Sequence, residues 1–212
     1  MTGRRPSQKE EQRGQGLVEF SLILPIILVI VVAVGELGLV YGKVHSLGYG
    51  SREGARAGSA LALGEADLCA PDDRDPSLVD AVLVSAVQRI LKSPDAGIDL
   101  NRVEEIRIFR ATPTGGEDGT FVNVWEYLPP GGLGPDVDEG PGRAKIDFVP
   151  VSVAWDACDR VNVGANPDSI GVTVVYTYDW VTPLPSVINA IAGGRLSLRL
   201  AETTVMALNP TI

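Results

Sequence analysis

The feature that most constrains this chain is an apolar stretch near its start. Between Glu19 and Glu36 lie sixteen residues without a charge, Phe20 to Gly35, nearly all Leu, Ile and Val and interrupted by Pro25. Leu17, Val18 and Leu37 to Tyr41 extend the apolar character to about 25 residues, and about 20 in a helix span a hydrocarbon core. A secretory signal would carry an apolar region of about 7–15 residues and then a small-x-small cleavage site. Here the run is longer, and Gly35-Glu36-Leu37 is a poor site. The stretch therefore reads as a retained membrane helix, with the lipid bilayer as a partner. Arg4, Arg5, Lys9 and Arg13 precede it. The positive-inside tendency then puts the N-terminus in the cytoplasm and the rest outside, against the weaker pull of Lys43, Arg52 and Arg56. No later run is long enough for a second crossing.

Residues 1–13 are polar and lack apolar periodicity, which predicts a disordered leader. Beyond the membrane run, Gly42 to Leu63 is rich in small residues and is expected to continue the helix. Positions 38, 42, 46, 50, 54 and 58 are Gly38, Gly42, Ser46, Gly50, Gly54 and Gly58. Small residues at four-residue spacing let helix backbones approach closely, although each glycine costs the helix about 1 kcal/mol relative to Ala. A four-residue step advances about 400°, so the row drifts roughly 40° per step and wraps around the helix. No single straight partner meets all six positions, so the row is predicted to be a contact surface for several neighbouring subunits.

Residues 64–212 remain for an outer domain, enough to bury a core. The formal charge is −9, and −11 without residues 1–14. Phosphate binding needs clustered Lys and Arg, so no nucleic-acid partner is expected. With 24 Gly and 15 Pro the domain is expected to be rich in turns. Asp75-Pro76-Ser77 supplies helix-start chemistry, with Ser77-x-x-Asp80 as a near capping box. Val79, Val82, Leu83, Ala86, Val87, Ile90 and Leu91 then recur at helical spacing until Ser93-Pro94, and this face is expected to cover a sheet. Strands are predicted from Arg102 to Ala111, from Phe121 to Leu128, around Val149, Val151, Val153 and Trp155 (an edge or bulge because of Pro150), from Ile170 to Trp180, and from Arg195 to Leu208. Helices followed by an antiparallel sheet make the fold class α+β.

An enzyme is hard to assemble from this inventory. The single histidine is His45, and no nucleophile elbow, phosphate loop or Cys-x-x-Cys occurs. Asp72-Asp73-Arg74-Asp75 and Asp136-Val137-Asp138-Glu139 lack calcium-loop spacing and read as solvated acidic loops. No catalytic residue, metal or cofactor is expected. Glu36 stands open between two readings, a functional ionisable group in a membrane helix or a hydrated residue at the interface. Cys69 and Cys158 are the only cysteines, both on the oxidising outer side, and are predicted to pair in a disulfide.

The two ends of the apolar helix also carry a family resemblance. Gly14 is followed five residues later by Glu19 and then Phe20, with basic residues in front. This resembles the leader of type IVb pilins and pseudopilins, which a prepilin peptidase cuts after the Gly. Here that would make Gln15 the first mature residue. The ordered series Gly14-Gln15-Gly16-Leu17-Val18-Glu19-Phe20, Leu24-Pro25, Gly35-Glu36-Leu37-Gly38 and Ser51-Arg52-Glu53-Gly54-Ala55-Arg56 resembles the TadE-like pseudopilins of Tad/Flp (tight adherence) pilus systems. The likeness is detailed over residues 13–58. At the C-terminus, Ala207-Leu208-Asn209-Pro210 departs from the Arg-x-Glu-Pro ending of many relatives. The resemblance implies a minor pseudopilin with a pilin-like plan: leader 1–14, membrane helix and extension 15–63, extracytoplasmic domain 64–212. It implies Gly14 and Gln15 as the processing site and Glu19 and Phe20 as assembly determinants. The implied partners are a prepilin peptidase, other pilins and pseudopilins, and Tad membrane platform proteins. The competing reading is a single-pass, membrane-anchored binding protein or adhesin that enters no filament.

Overall fold

The apolar run lies within one continuous helix, α1 (Gln8–Leu61), which passes through Pro25 without ending. The computed structural model describes residues 8–61, 77–129, 136–137, 144–161, 166–183, 186 and 197–208. Helix from Gln8 corrects the expectation of a disordered leader for residues 8–13, while residues 1–7 lie outside the described residues. Gln8, Lys9, Glu10, Glu11, Gln12 and Arg13 are all good helix formers. Once the apolar segment is helical, adding such residues to its end requires no new nucleus.

The chain divides into two units, Met1–Val40 with Trp180–Leu196, and Tyr41–Asp179 with Ser197–Ile212. In the second unit α2 (Ser77–Leu91) starts and stops where the capping and Ser93-Pro94 signals put it. A five-stranded antiparallel sheet follows, β1 (Val103–Ala111), β2 (Glu117–Tyr127), β5 (Phe148–Val153), β6 (Ser169–Tyr178) and β7 (Leu198–Ala207), in the order β5-β2-β1-β6-β7. A small ribbon pairs β3 (Asp136–Val137) with β4 (Ala144–Lys145). The β1–β2 turn closes through Thr112 and Gly116, and Gly115 adopts φ +82, which a residue with a Cβ rarely takes up. The edge strand β5 is bulged as Pro150 suggested. Trp125 pairs with Pro150 and Val124 with Ser152, so Val151 is skipped.

Register explains the two faces of the sheet. Ile106 opposes Val174 and Trp125, Ile108 opposes Val172 and Asn123, and Tyr176 opposes Leu200. These alternate positions form the buried face, with Ile106, Ile108, Trp125, Val172 and Val174 fully enclosed. On the other face the Phe109 ring lies across Gly171, where a Cβ would come within 2.2 Å of the ring. A bulge at Glu104 lets the consecutive Glu104 and Glu105 both reach Arg199, at 2.6 and 3.2 Å.

The buried face is roofed by α2 and the C-terminal part of α1, and here the small-residue row finds its use. A Cβ on Gly50 would stand 3.2 Å from Leu91 Cδ2, on Gly54 2.5 Å from Val87 Cγ2, and on Gly58 2.7 Å from Leu83 Cδ1. Three small residues stepping by four along α1 thus meet three apolar residues stepping by four in reverse along α2. The same two glycines, Gly54 and Gly58, also let Val172 and Ile170 of β6 reach the helix backbone. The expectation of an intersubunit surface is corrected for Gly50, Gly54 and Gly58: they pack within the chain. Ser46 is also engaged internally, its hydroxyl donating to the Ala96 carbonyl at 3.0 Å. A Cβ on Gly38 or Gly42 would meet nothing within 4 Å.

Asp80, near the start of α2, is buried: its carboxylate accepts from Asn123 Nδ2 at 2.6 Å and from Arg160 at 2.6 Å. Asn123 completes the knot by accepting from the Ala154 and Trp155 amides and donating to the Trp155 carbonyl. One buried side chain of β2 thereby fixes α2 and the segment after β5 together.

Candidate membrane and assembly region

From Leu17 to Leu39 most large side chains of α1 stand open, for example Leu17 71%, Phe20 60%, Ile26 61%, Val31 64% and Leu37 65% exposed. So much contiguous apolar surface is unstable in water and calls for lipid or other helices. By length and composition the helix can cross a membrane. At its N-terminal end Gln15 Nε2 donates to Glu19 Oε1 at 3.0 Å, a contact that one turn of helix imposes on residues four apart. Gly14 is helical, and Phe20 is exposed beside Glu19. The structure therefore brings Gln15 and Glu19 together at the residue following Gly14, on a part of the helix that is exposed among the described residues.

At the other end of the span one residue breaks the pattern. Glu36 is 1% exposed, while Val34 at 63% and Leu37 at 65% on either side are open. Its Oε1 accepts from the Val181 amide at 2.9 Å and its Oε2 from the Thr182 amide at 3.0 Å. Val32, Ala33 and Val40 also lose exposure, and 32, 36 and 40 stand on one face of the helix. Neither reading of Glu36 from sequence foresaw this pairing. The available signal was a carboxylate inside an apolar run, which demands a partner but does not name it.

Just beyond, Tyr41 stacks on His45 with ring centroids 5.8 Å apart, and His45 meets Tyr49 edge to face at 4.9 Å. His45 is thus the middle member of a row of rings along α1. Among the described residues no cluster of His, Cys, Asp and Glu has the makings of a metal site. Cys158 lies in a short 3-10 turn, Ala157–Asp159, with its amide bonded to Asp156. Cys69, the acidic run 72–75 and the ending Asn209-Pro210 lie outside the described residues.

Fold and helix together define a class, proteins with one N-terminal helix able to anchor an α+β domain in a membrane. The family model of TadE-like proteins matches residues 14–56 of the chain. That segment runs from Gly14 through the apolar span to Gly50 and Gly54, two of the three glycines facing α2, and the match associates the chain with the Tad pilus. No curated protein and no solved structure matches it.

Proposed function

We propose that this protein is a minor pseudopilin of a Tad-type (type IVb) pilus assembly and secretion apparatus. The observation that carries the reading is the open apolar face of α1, introduced by Gly14-Gln15 and Glu19-Phe20 inside the TadE-like segment. A prepilin peptidase cuts after Gly14 at the cytoplasmic side, and the C-terminal domain lies outside. A bare carboxylate deep in a bilayer costs about 2.5–3.5 kcal/mol, less near its surface. Cleavage creates the compensating charge, the α-ammonium of Gln15, with an ordinary pKa of about 7.7–8.0. Glu19 meets that ammonium on a neighbouring subunit, which sets the axial register as helices add to the filament. Gly38 and Gly42, with no side chain against them among the described residues, admit the neighbouring helix. Other pilins and the Tad membrane platform are the partners, and the work is mechanical rather than catalytic. Cys69 and Cys158 close a loop of about 90 residues outside, for which the chain-entropy model gives roughly 4–5 kcal/mol.

The test is Glu19→Gln, which keeps size and hydrogen bonding and deletes the charge. The variant is expected to insert into the membrane normally and to be lost from isolated pilus-assembly complexes. Normal incorporation of the variant overturns the role given to Glu19, and absence of the wild-type chain from those complexes favours the adhesin reading.

A further inference from the structure

Glu36 lies at a depth where lipid still surrounds the helix. It is 17 residues from Glu19, about 25 Å at 1.5 Å per residue, inside a hydrocarbon core of about 30 Å. Leu37 and Leu39, further out, are 65% and 46% exposed, so the apolar surface continues beyond it. Whatever is bonded to Glu36 shares that depth. The bonded groups are two consecutive backbone amides, Val181 and Thr182, in a segment that is neither helix nor strand. Irregular backbone enters a bilayer only where its amides are satisfied by protein. A carboxylate is tolerated there only with donors around it. Each therefore supplies what the other lacks.

The side chains of this segment suit the same place. Val181 is 74% exposed immediately beside an amide held on the membrane helix. Trp180, a residue favoured at membrane interfaces, precedes it, and Pro183, which has no amide to satisfy, follows. We infer that Trp180–Pro183 is a membrane-interface loop, clamped to α1 by Glu36 and presenting Val181 and the open edge of the half-buried Trp180 to lipid at the C-terminal end of the span. This rests on α1 being a membrane helix but not on pilus assembly.

The experiment uses the full chain reconstituted in phosphatidylethanolamine–phosphatidylglycerol vesicles whose acyl chains carry bromine near the carbonyl or near the methyl end. Bromine quenches tryptophan only at contact, and Trp125 and Trp155 are 0% and 1% exposed. The protein is expected to float with the vesicles. Shallow bromine should then quench a share of the emission up to that of one of the three tryptophans. Deep bromine should quench less. Trp180→Phe should abolish the quenching, and Glu36→Ala should reduce it while flotation persists. Flotation with equal quenching in wild type and Trp180→Phe overturns the loop assignment alone, including the case in which a second protein, absent from the vesicles, covers this segment. Failure to float overturns the membrane helix itself.

Discussion

Replacing Asp80 by Asn should be among the most damaging single changes available in the outer unit. The Asp80–Arg160 pair is 2.6 Å long with side chains 5% and 4% exposed. Two other guanidinium nitrogens of Arg160, Nε and Nη1, have no hydrogen-bond partner among the described residues. What supports the cation besides Asp80 is the Trp155 ring at 4.7 Å and a 3.3 Å bond to the Trp155 carbonyl. Asn keeps the shape but leaves that charge buried without its counter-ion, a loss measured elsewhere at about 3–5 kcal/mol. An exposed pair such as Arg56–Glu53, 68% and 22% exposed, is worth about 0–1 kcal/mol, so Glu53→Gln serves as the control. At roughly 2–4 °C per kcal/mol for a domain of this size, the midpoint should fall by about 6–20 °C. Near-ultraviolet circular dichroism of the full chain in detergent reads this directly, since Trp155 and Trp125 are buried reporters. The double variant Asp80→Leu with Arg160→Leu removes both charges and should recover part of the loss, giving a coupling of about 0.5–3 kcal/mol. A loss below about 1 kcal/mol in Asp80→Asn, or no coupling in the cycle, refutes the reasoning.

The small-residue row should split in two when probed. Gly54→Leu overpacks the contact with Val87 and should cost at least about 1–3 kcal/mol in the same unfolding assay, whereas Gly42→Leu should leave unfolding unchanged and weaken crosslinking between subunits. The Thr177 hydroxyl first, and the Arg199 guanidinium with it, hold the Glu104 carboxyl below its ordinary 4.5. Because the folded value is the lower one, this contribution is present above pH 4.5 and is lost as the pH falls through the folded value; Glu104→Gln should flatten the stability–pH curve there, and an unchanged curve counts against the pairing. Mass spectrometry of the unreduced protein should find Cys69 and Cys158 joined, and two free thiols would remove that bridge.

What could be read from the sequence was what repeats along it. The alternation of Val172, Val174, Tyr176 and Tyr178 gave β6 and its buried face, and Pro150 gave an irregular edge strand. The Asp75-Pro76-Ser77 and Ser93-Pro94 signals gave the ends of α2, and its periodicity gave most of its buried side, with Val82 and Ile90 only half-buried. What could not be read was set by partners far away in the chain. Asp80 sits on the apolar face of α2, which hints that it is paired, but nothing local distinguishes Arg160 from any other arginine. The glycine row illustrates the same point. Its spacing announced close helix packing, yet the partner of Gly50, Gly54 and Gly58 is α2 of the same chain, because the row drifts around α1 until it faces the sheet. Glu36 is similar: its position in an apolar run shows that it needs donors, and only the fold names Val181 and Thr182.

Whether α1 is a processed pilin-type helix is answered most directly by the N-terminus of the mature protein. The chain should be produced together with a prepilin peptidase, recovered from membranes, and its first residues sequenced. The prediction is a chain beginning at Gln15, with Gly14→Leu leaving a product about fourteen residues longer in this membrane-targeted setting. A wild-type chain that still begins near Met1 beside an active peptidase contradicts it.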